Sequence, residues 1–158
     1  MGITEGVKDQ FADDGIILDN AMAYWIHRVY QATRNASFDV LRAEGEDLTP
    51  EQWIVLVRLW EQDGRTQTDL GESTYRDRPT MSRILAGMEK RGLVKRKADP
   101  DHGKVLRVHL TARGRSLREE LVPKARGLVE RSLRGIPAKD LEVTRSTLKR
   151  MFSNLAGD

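Results

Sequence analysis

The sequence predicts a mainly α protein with a small β-hairpin wing, in which a winged helix-turn-helix is flanked by N- and C-terminal dimerisation helices. Three observations predict this class. Residues 77–96 couple a short amphipathic helix to a strand. A second short helix precedes this stretch, and a β-hairpin completes it. Long helical apolar patterns lie at both ends of the chain.

The N-terminal part is predicted to be an arm followed by a long helix. Residues 1–14 have no clear periodicity and are expected to form a loose N-terminal arm. From Ile16 to about Arg42 the apolar residues follow a helical spacing, and no Gly or Pro interrupts it before Gly45. Such a helix spans about 27 residues or 40 Å. Because a domain of this size cannot cover it alone, residues 15–47 are predicted to be a dimerisation helix.

Residues 48–111 are predicted to form a winged-helix lobe, and its first helix has a well-marked start. Thr49 fits the N-cap, Pro50 the first helical position and Gln52 the third position of a capping box. Trp53 gives this helix a large aromatic side chain. It could line a ligand cavity, although packing in the core is the commoner role.

The helix-turn-helix pattern follows. Thr66 fits the N-cap of a short helix and Asp77 the N-cap of the next, with Pro79 just inside it. Gly92 fits the stop. The second helix has an apolar stripe at the i, i+3, i+4, i+7 spacing. The predicted buried residues of that stripe are Met81, Ile84, Leu85 and Met88.

The opposite face of this helix carries small, hydroxyl and cationic side chains, with Glu89 as the one acid after the cap. Arginine can read guanine edges in the major groove, and hydroxyls and lysine can meet phosphates. A solvated helix face, common on small globular proteins, is the simpler alternative. The candidate DNA-binding residues of the two helices and their link are Thr66, Thr68, Arg76, Arg78, Pro79, Thr80, Ser82, Arg83 and Lys90.

A β-hairpin is predicted directly after this helix. Residues 93–97 and 105–110 fit two strands, with Leu106, Val108 and Leu110 on one side. The candidate DNA-binding residues of this wing are Asp101, His102, Lys104 and Arg107.

Residues 112–158 are predicted to hold two C-terminal helices that complete the dimerisation body. Thr111 fits the N-cap of the first helix, and Pro123 inside it predicts a kink. The second helix follows Pro137 with an apolar stripe of its own. Both helices are expected to pack with the first long helix and with their copies in a second subunit.

Charge is distributed unevenly along the chain. The net charge is only +3, but residues 1–64 hold 5 Lys and Arg against 12 Asp and Glu. Residues 76–113 hold 11 against 4. A polyanionic partner at the helix and hairpin would explain this segregation, because its phosphates would be neutralised there. Chance clustering is the alternative.

Composition limits the remaining classes. A chain of 158 residues can bury one core, and the absence of cysteine excludes disulfides and thiolate metal sites. No signal peptide and no apolar run of the roughly 20 residues of a membrane span is present. We therefore expect a cytoplasmic protein without a membrane partner.

With these residues in view, the chain resembles the MarR family of bacterial regulators from its first long helix to its last. The stretches that carry the resemblance are LTPEQWIVLVRL, RPTMSRILAGMEKRGLVKR and VHLT followed by ARG. The resemblance implies a winged-helix homodimer that binds a pseudo-palindromic operator in double-stranded DNA. It also implies release by a small, often aromatic or phenolic, molecule. The positions that match the family's groove-contacting residues are Arg78, Pro79, Thr80, Ser82 and Arg83.

The wing departs from the family pattern, in which an Asp-Arg combination places the arginine in the minor groove. This chain has Asp101, His102, Gly103 and Lys104 instead. Lys104 lacks the planar fork of arginine, so we expect weaker reading of minor-groove shape. His102 could add charge below about pH 6.5, although a solvated loop histidine is the simpler interpretation.

A polar-aromatic cluster on the first long helix lies near where the resemblance places effectors. An aromatic carboxylate or phenol could stack there and meet Arg28, although packing and solvation of a dimer helix is the simpler interpretation. The candidate effector-binding residues are Tyr24, Trp25, His27, Arg28 and Trp53.

No constellation for catalysis is present. His27, His102 and His109 lack metal-ligand spacing, and no nucleophile motif or phosphate-binding glycine loop occurs. We therefore expect no enzyme activity, no metal and no cofactor. The sequence predicts a homodimeric, sequence-specific DNA-binding transcriptional regulator, a repressor released by a small effector. The alternative is a winged-helix protein-interaction module without DNA binding, whose basic face steers an acidic partner.

Overall fold

The computed structural model describes residues 5–12, 15–43, 45 and 47–157, and its elements are mainly helices. The chain divides into two compact units, residues 1–125 and 126–158, which are described separately. The elements are α1 (Glu5–Lys8), β1 (Phe11–Ala12), β2 (Gly15–Ile16), α2 (Met22–Ala43), α3 (Pro50–Glu61), α4 (Gln67–Ser73), α5 (Arg78–Lys90), β3 (Val94–Ala98), β4 (Leu106–Leu110), α6 (Ala112–Ser132) and α7 (Ala138–Ala156).

The first long helix starts later than the sequence predicts. Helix α2 begins at Met22, because residues 18–20 form a 3-10 turn and Ala21 is extended with φ −76° and ψ 116°. The Gln10 side chain accepts a hydrogen bond from the Met22 amide at 3.2 Å. The predicted start near Ile16 was therefore wrong. The apolar residues before Met22 happen to follow the helical period, although the backbone there is not α-helical.

The N-terminal segment has more local structure than a loose arm. Helix α1 and the antiparallel pair of β1 and β2 occupy its described residues, and the Asn20 side chain donates to the Asp9 carbonyl at 2.8 Å. The rest of the predicted arm, residues 1–4, 13 and 14, lies outside the described residues.

The core of the first unit lies between α3, α4, α5, the wing and the start of α6. Both capping-box bonds of α3 form, since the Thr49 hydroxyl accepts from the Gln52 amide and the Gln52 side chain accepts from the Thr49 amide, each at 3.2 Å. Trp53 and Trp60 pack edge to face with ring centroids 5.5 Å apart and lie against the core. The core residues include Leu48, Leu56, Leu70, Met81, Leu85, Met88, Leu93, Val108, Leu117 and Leu121.

Helices α4 and α5 start where the sequence predicts. The Thr66 hydroxyl accepts from the Asp69 amide at 3.0 Å, and the Asp77 carboxylate accepts from the Thr80 amide at 2.7 Å. Helix α5 ends at Lys90, and Gly92 after it has φ +68°. These caps fix both ends of the helix that carries the candidate interface.

The predicted hairpin is confirmed, with β3 and β4 antiparallel from Val94 opposite Leu110 to Ala98 opposite Leu106. Val108 and Leu110 are buried as predicted, but Leu106 is 41% exposed. It shares their face but lies at the end of the strand towards the wing tip. The Val108 amide also donates to the Arg65 carbonyl at 2.9 Å, which ties the wing to the start of α4.

A buried carboxylate holds the base of the wing. Asp99 is 4% exposed and accepts hydrogen bonds from the amides of Asp101 and His102 at 2.9 and 3.0 Å. It also accepts from the guanidinium of Arg107, which donates to the Gly64 carbonyl at 3.0 Å. The Asp101 amide, followed by the Arg107 side chain, lowers the pKa of the Asp99 carboxyl below its ordinary value.

The second unit contains the end of α6 and the whole of α7. Helix α7 follows Pro137 and ends before Gly157, which has φ +75°. Its apolar side chains are mainly exposed in the single chain. They include Val143, Leu148, Phe152 and Leu155.

None of the helices in the described part of the chain combines the length and hydropathy needed to cross a membrane.

Gly114 is expected to be essential for the packing of α6. A Cβ at this position would lie 2.1 Å from the Leu93 carbonyl oxygen, and the Gly114 carbonyl accepts from the Trp60 indole at 2.8 Å. We expect Gly114→Ala to lower the free energy of unfolding by about 1–3 kcal/mol because the backbones must separate. Chemical denaturation measures this change.

Gly127 provides the matched control in the same helix. A Cβ there meets nothing within 4 Å, so Gly127→Ala is expected to be neutral or to stabilise by up to about 1 kcal/mol. Equal destabilisation by both substitutions would contradict the close approach at Gly114.

The wing is expected to make stability depend on acid pH. A carboxyl with a lowered folded pKa stabilises the protein above its ordinary pKa of 3.8, and this contribution is lost as the pH falls through the lowered value. We therefore expect Asp99→Asn to melt at a lower temperature than the parent near neutral pH. The difference should shrink below about pH 3.8. Melting curves by circular dichroism check this, and a pH-independent difference would contradict it.

Candidate nucleic-acid interface

Helix α5 has one face in the core and one outside. Met81, Leu85 and Met88 are fully buried, and Ile84 is partly buried against the core. This confirms the predicted stripe. The residues of the outer face that are exposed are Arg78, Pro79, Arg83, Ala86 and Lys90, and those that are partly exposed are Thr80, Ser82 and Gly87.

The N-terminal half of α5 is organised by its cap. The amide of Thr80, followed by its side chain, lowers the pKa of the Asp77 carboxyl, so this cap is ionised near neutral pH. One turn later, the Arg83 guanidinium donates to the Thr80 hydroxyl at 3.1 Å. Arg83 therefore lies along the outer face of the helix and remains exposed.

An ion pair that the sequence analysis missed controls the charge of this face. The Arg96 side chain on β3 donates to the Glu89 carboxylate at 2.6 and 3.0 Å, and the Arg96 amide donates to the same carboxylate at 2.9 Å. The side-chain bonds lower the pKa of the Glu89 carboxyl. The one acid of the outer face is thereby neutralised, so the remaining charge on it is positive.

Arg96 also connects the two helices of the motif. Its Nη1 lies 3.4 Å from the Ser82 hydroxyl and 3.5 Å from the Gln67 side-chain oxygen. The Ser82 hydroxyl is thus within hydrogen-bond distance of Arg96, although Ser82 also lies on the outer face of α5. No simple spacing rule in the sequence links these residues, since they come from α4, α5 and β3.

The candidate residues outside α5 have different surroundings. Thr66 is partly buried and uses its hydroxyl as the α4 cap, whereas Thr68 is exposed on that helix. The Arg76 guanidinium lies 3.9 Å from the Glu51 carboxylate, and its side chain is 42% exposed.

The candidate DNA-binding residues of the wing fall into two groups. Asp101, His102 and Lys104 are exposed in the turn. Arg107, in contrast, is bonded to Asp99 at the base of the hairpin, and 43% of its side chain is exposed. Asp99 was missed because the sequence does not reveal which carboxylate of the turn becomes buried.

The cluster on α2 is present in part. The Arg28 guanidinium donates to the Tyr24 hydroxyl at 2.9 Å and lies 5.6 and 5.8 Å from the ring centroids of Tyr24 and Trp25. The hydrogen bond from Arg28 to Tyr24 raises the pKa of the guanidinium. His27 is exposed on the same helix, whereas Trp53 packs with Trp60 against the core.

No group of three or more His, Cys, Asp or Glu that could hold a metal ion occurs among the described residues.

Comparison with known proteins identifies the family of this chain. The sequence profile of the MarR family matches residues 48–106. The transcriptional regulator HosA of Escherichia coli O111:H- is 29% identical over 133 residues, which cover 77% of this chain and 98% of HosA.

Solved structures agree with this assignment. A probable transcriptional regulator from Pseudomonas aeruginosa is 32% identical, with a TM-score of 0.73 over 85% of this chain and 98% of its own. CouR from Rhodococcus jostii RHA1, solved bound to p-coumaroyl-CoA, is 26% identical, with a TM-score of 0.76 over 85% of this chain and 93% of its own. The predicted fold class and family resemblance are confirmed, and the chain belongs to the MarR family of transcriptional regulators.

Proposed function

We propose that this protein is a homodimeric, sequence-specific DNA-binding repressor whose two α5 helices enter successive major grooves of a pseudo-palindromic operator. The observation that carries the proposal is the outer face of α5. Arg78, Arg83 and Lys90 are exposed there, while Glu89 is neutralised by Arg96. Such a surface can neutralise phosphates and donate hydrogen bonds to base edges.

The position of α5 in the chain supports its role. Its apolar stripe is buried and its first turn is capped by Asp77. The N-terminal half of α5 is therefore held in place, with its outer face accessible to DNA. In helix-turn-helix proteins the second helix lies in the major groove and the first crosses the backbone. Arg78 and Arg83 would then read bases, and Thr66, Thr68, Arg76, Pro79, Thr80, Ser82 and Lys90 would position the helix on the backbone and groove wall.

Dimerisation would bury the apolar side chains that are exposed on α2 and α7. Trp25, Val29 and Tyr30 on α2 and Val143 on α7 are each about half exposed, and Leu155 on α7 is 87% exposed. Burying such side chains against a second copy is favourable. We propose that residues 15–47 and 112–158 form this dimerisation body, with 48–111 as the DNA-binding lobe and 1–14 as an arm.

The wing would add a second, weaker contact. Bonds to Asp99 fix the turn that presents Asp101, His102 and Lys104. Lys104 can approach a phosphate or the minor groove as a point charge, but it lacks the fork of arginine. Arg107 would act by holding this turn in place.

Release by a small aromatic acid or phenol is the proposed regulation. Tyr24, Trp25 and Arg28 place two rings beside a cation on α2, a combination that can stack an aromatic ring and pair its carboxylate. His27 lies beside them, whereas Trp53 would contribute only through the core. The similar CouR was solved bound to p-coumaroyl-CoA. An effector would act by binding the DNA-incompetent arrangement more tightly.

Selection from random duplex DNA tests the central proposal. We expect enrichment of an inverted repeat whose half-site centres are roughly one helical turn, about 34 Å, apart. Affinity should fall steeply and linearly with salt on logarithmic axes. Recovery of no sequence and no salt-dependent binding would overturn the proposal and favour the protein-interaction alternative.

Arg83 is expected to read a base in the selected operator. Arg83→Ala should cost about 1–3 kcal/mol of binding free energy and relax the sequence preference at one position of each half-site. Arg145→Ala removes an exposed arginine of α7 and should leave binding unchanged. Fluorescence anisotropy at fixed salt measures both variants, and parental affinity for Arg83→Ala would remove Arg83 from the interface.

Arg28 is expected to mediate effector response without contributing to DNA affinity. With p-coumarate and p-coumaroyl-CoA as probes, Arg28→Gln should raise the concentration needed for operator release by on the order of tenfold, because a charge-assisted bond is lost. Arg42→Gln in the last turn of α2 is the control. Release of the Arg28→Gln complex at parental concentrations would exclude this site.

A further inference from the structure

The Arg96 side chain connects three elements of the DNA-binding lobe. Its guanidinium donates to the Glu89 carboxylate through Nε and Nη2, at 3.0 and 2.6 Å. The third nitrogen, Nη1, lies 3.4 Å from the Ser82 hydroxyl on α5 and 3.5 Å from the side-chain oxygen of Gln67, the first residue of α4. All three guanidinium nitrogens of this β3 residue therefore have partners within the protein.

The ion pair restricts the guanidinium to this position. Only 22% of the Arg96 side chain and 31% of the Glu89 side chain are exposed. The Arg96 amide donates to the same carboxylate at 2.9 Å. Because two side-chain bonds and one backbone bond meet on one carboxylate, the guanidinium has little freedom to rotate. Its Nη1 is thereby kept beside Ser82.

Ser82 lies on the face of α5 that is proposed to meet DNA. It precedes Glu89 by seven residues, or about two helical turns, so both lie on one flank of the helix. Ser82 is partly exposed and is followed by the exposed Arg83. Its hydroxyl accepts from Arg96 and donates no hydrogen bond to the part of the chain that the structure describes. The proton of this hydroxyl is therefore not used within that part of the chain.

The polarity of a hydroxyl decides which bases it can contact. A serine hydroxyl can donate or accept, so by itself it discriminates little among bases. In the major groove guanine, adenine and thymine each present an acceptor, whereas cytosine presents an amino donor. A cation that donates to the hydroxyl makes its oxygen a poorer acceptor and its O–H a better donor, because the hydrogen turns away from the positive charge.

We propose that Arg96 is a positioning residue that makes the Ser82 hydroxyl a hydrogen-bond donor to a base acceptor in the groove. Cytosine is thereby disfavoured at one position of each half-site. This inference rests on the proposed DNA-binding function and extends it, since it gives Ser82 a base contact whose polarity is set from β3. Arg96 acts through Ser82, and Glu89 holds the guanidinium in the position that this requires.

Selection from random duplex DNA with the full chain, followed by affinity measurements on single-base variants of the operator, tests the proposal. Ser82→Ala should lose the preference at one position of each half-site and accept cytosine there. Arg96→Lys keeps the positive charge but lacks the fork, so it should accept cytosine at the same position. In each variant the penalty for cytosine should fall by roughly threefold to tenfold, the contribution of one hydrogen bond.

Two further readouts separate positioning from a general loss of structure. Arg96→Lys should keep the affinity for the selected operator to within about threefold, because the Ser82 hydroxyl can still donate. Its salt dependence should be parental, since the net charge is unchanged. The double variant Ser82→Ala/Arg96→Lys should show the same cytosine penalty as Ser82→Ala alone, because both substitutions act on one hydroxyl.

A matched control and a second variant make the test specific. Arg58 pairs with Glu61 at 3.0 Å, and its Nη2 lies 3.4 Å from the Ser73 carbonyl on α4. Arg58→Lys therefore changes another ion-paired arginine that reaches α4, and it should keep the parental cytosine penalty. Glu89→Gln/Arg96→Gln replaces the ion pair by a neutral pair at the same net charge, and it should accept cytosine. Circular dichroism checks that each variant is folded.

The possible failures are distinguishable. If the parent selects no DNA, the proposed function itself fails. If the parent binds its operator and Ser82→Ala changes no base preference, or Arg96→Lys keeps the cytosine penalty, the inference is overturned. A loss of the penalty in Arg58→Lys also overturns it, because a general loosening would then explain the effect. If Arg96→Lys does not fold, the neutral pair decides by the same criterion. Unfolding of both would show that Arg96 serves the fold alone.

Discussion

Burial of the apolar stripe of α5 is the constraint on which the rest of the structure depends. Met81, Leu85 and Met88 fill the centre of the first unit, so the helix cannot rotate without exposing them. The opposite face is thereby fixed outward, with Arg78 and Arg83 on it. Caps add to this restraint at both helix ends. A rigid helix loses little conformational entropy when it binds, which favours its use as a recognition element.

Internal charge pairs then decide which cations remain outside. Arg96 neutralises Glu89, and Arg107 is bonded to Asp99, so two arginines in the basic region serve the protein itself. The net positive charge of residues 76–113 therefore overstates the number of cationic side chains that are available to a polyanionic partner. The same pairs also tie β3 to α5 and close the base of the wing. These ion pairs thus hold elements of the fold together and also determine which charges remain on the outer surface.

The sequence predicted the local features well and the long-range ones poorly. The caps at Thr49, Thr66 and Asp77 and the stripe of α5 follow from residue types at short spacing, and all are present. The partner of Arg107 and the burial of Asp99 depend on how a hairpin folds back on α4, which no spacing rule gives. The start of α2 was misplaced because apolar spacing does not reveal a break in backbone conformation. The roles of the predicted site residues stay predictions.

The two helix ends of the motif show that the fold can impose a backbone conformation against local residue preference. Both α4 and α5 finish with the same pair of backbone hydrogen bonds, and the fold has glycine available for this purpose at Gly92. A tyrosine with φ +53° takes the equivalent position at the end of α4. Since glycine is the usual residue in this conformation, the packing of the two helices, and not local preference, sets the path of the chain from α4 to α5.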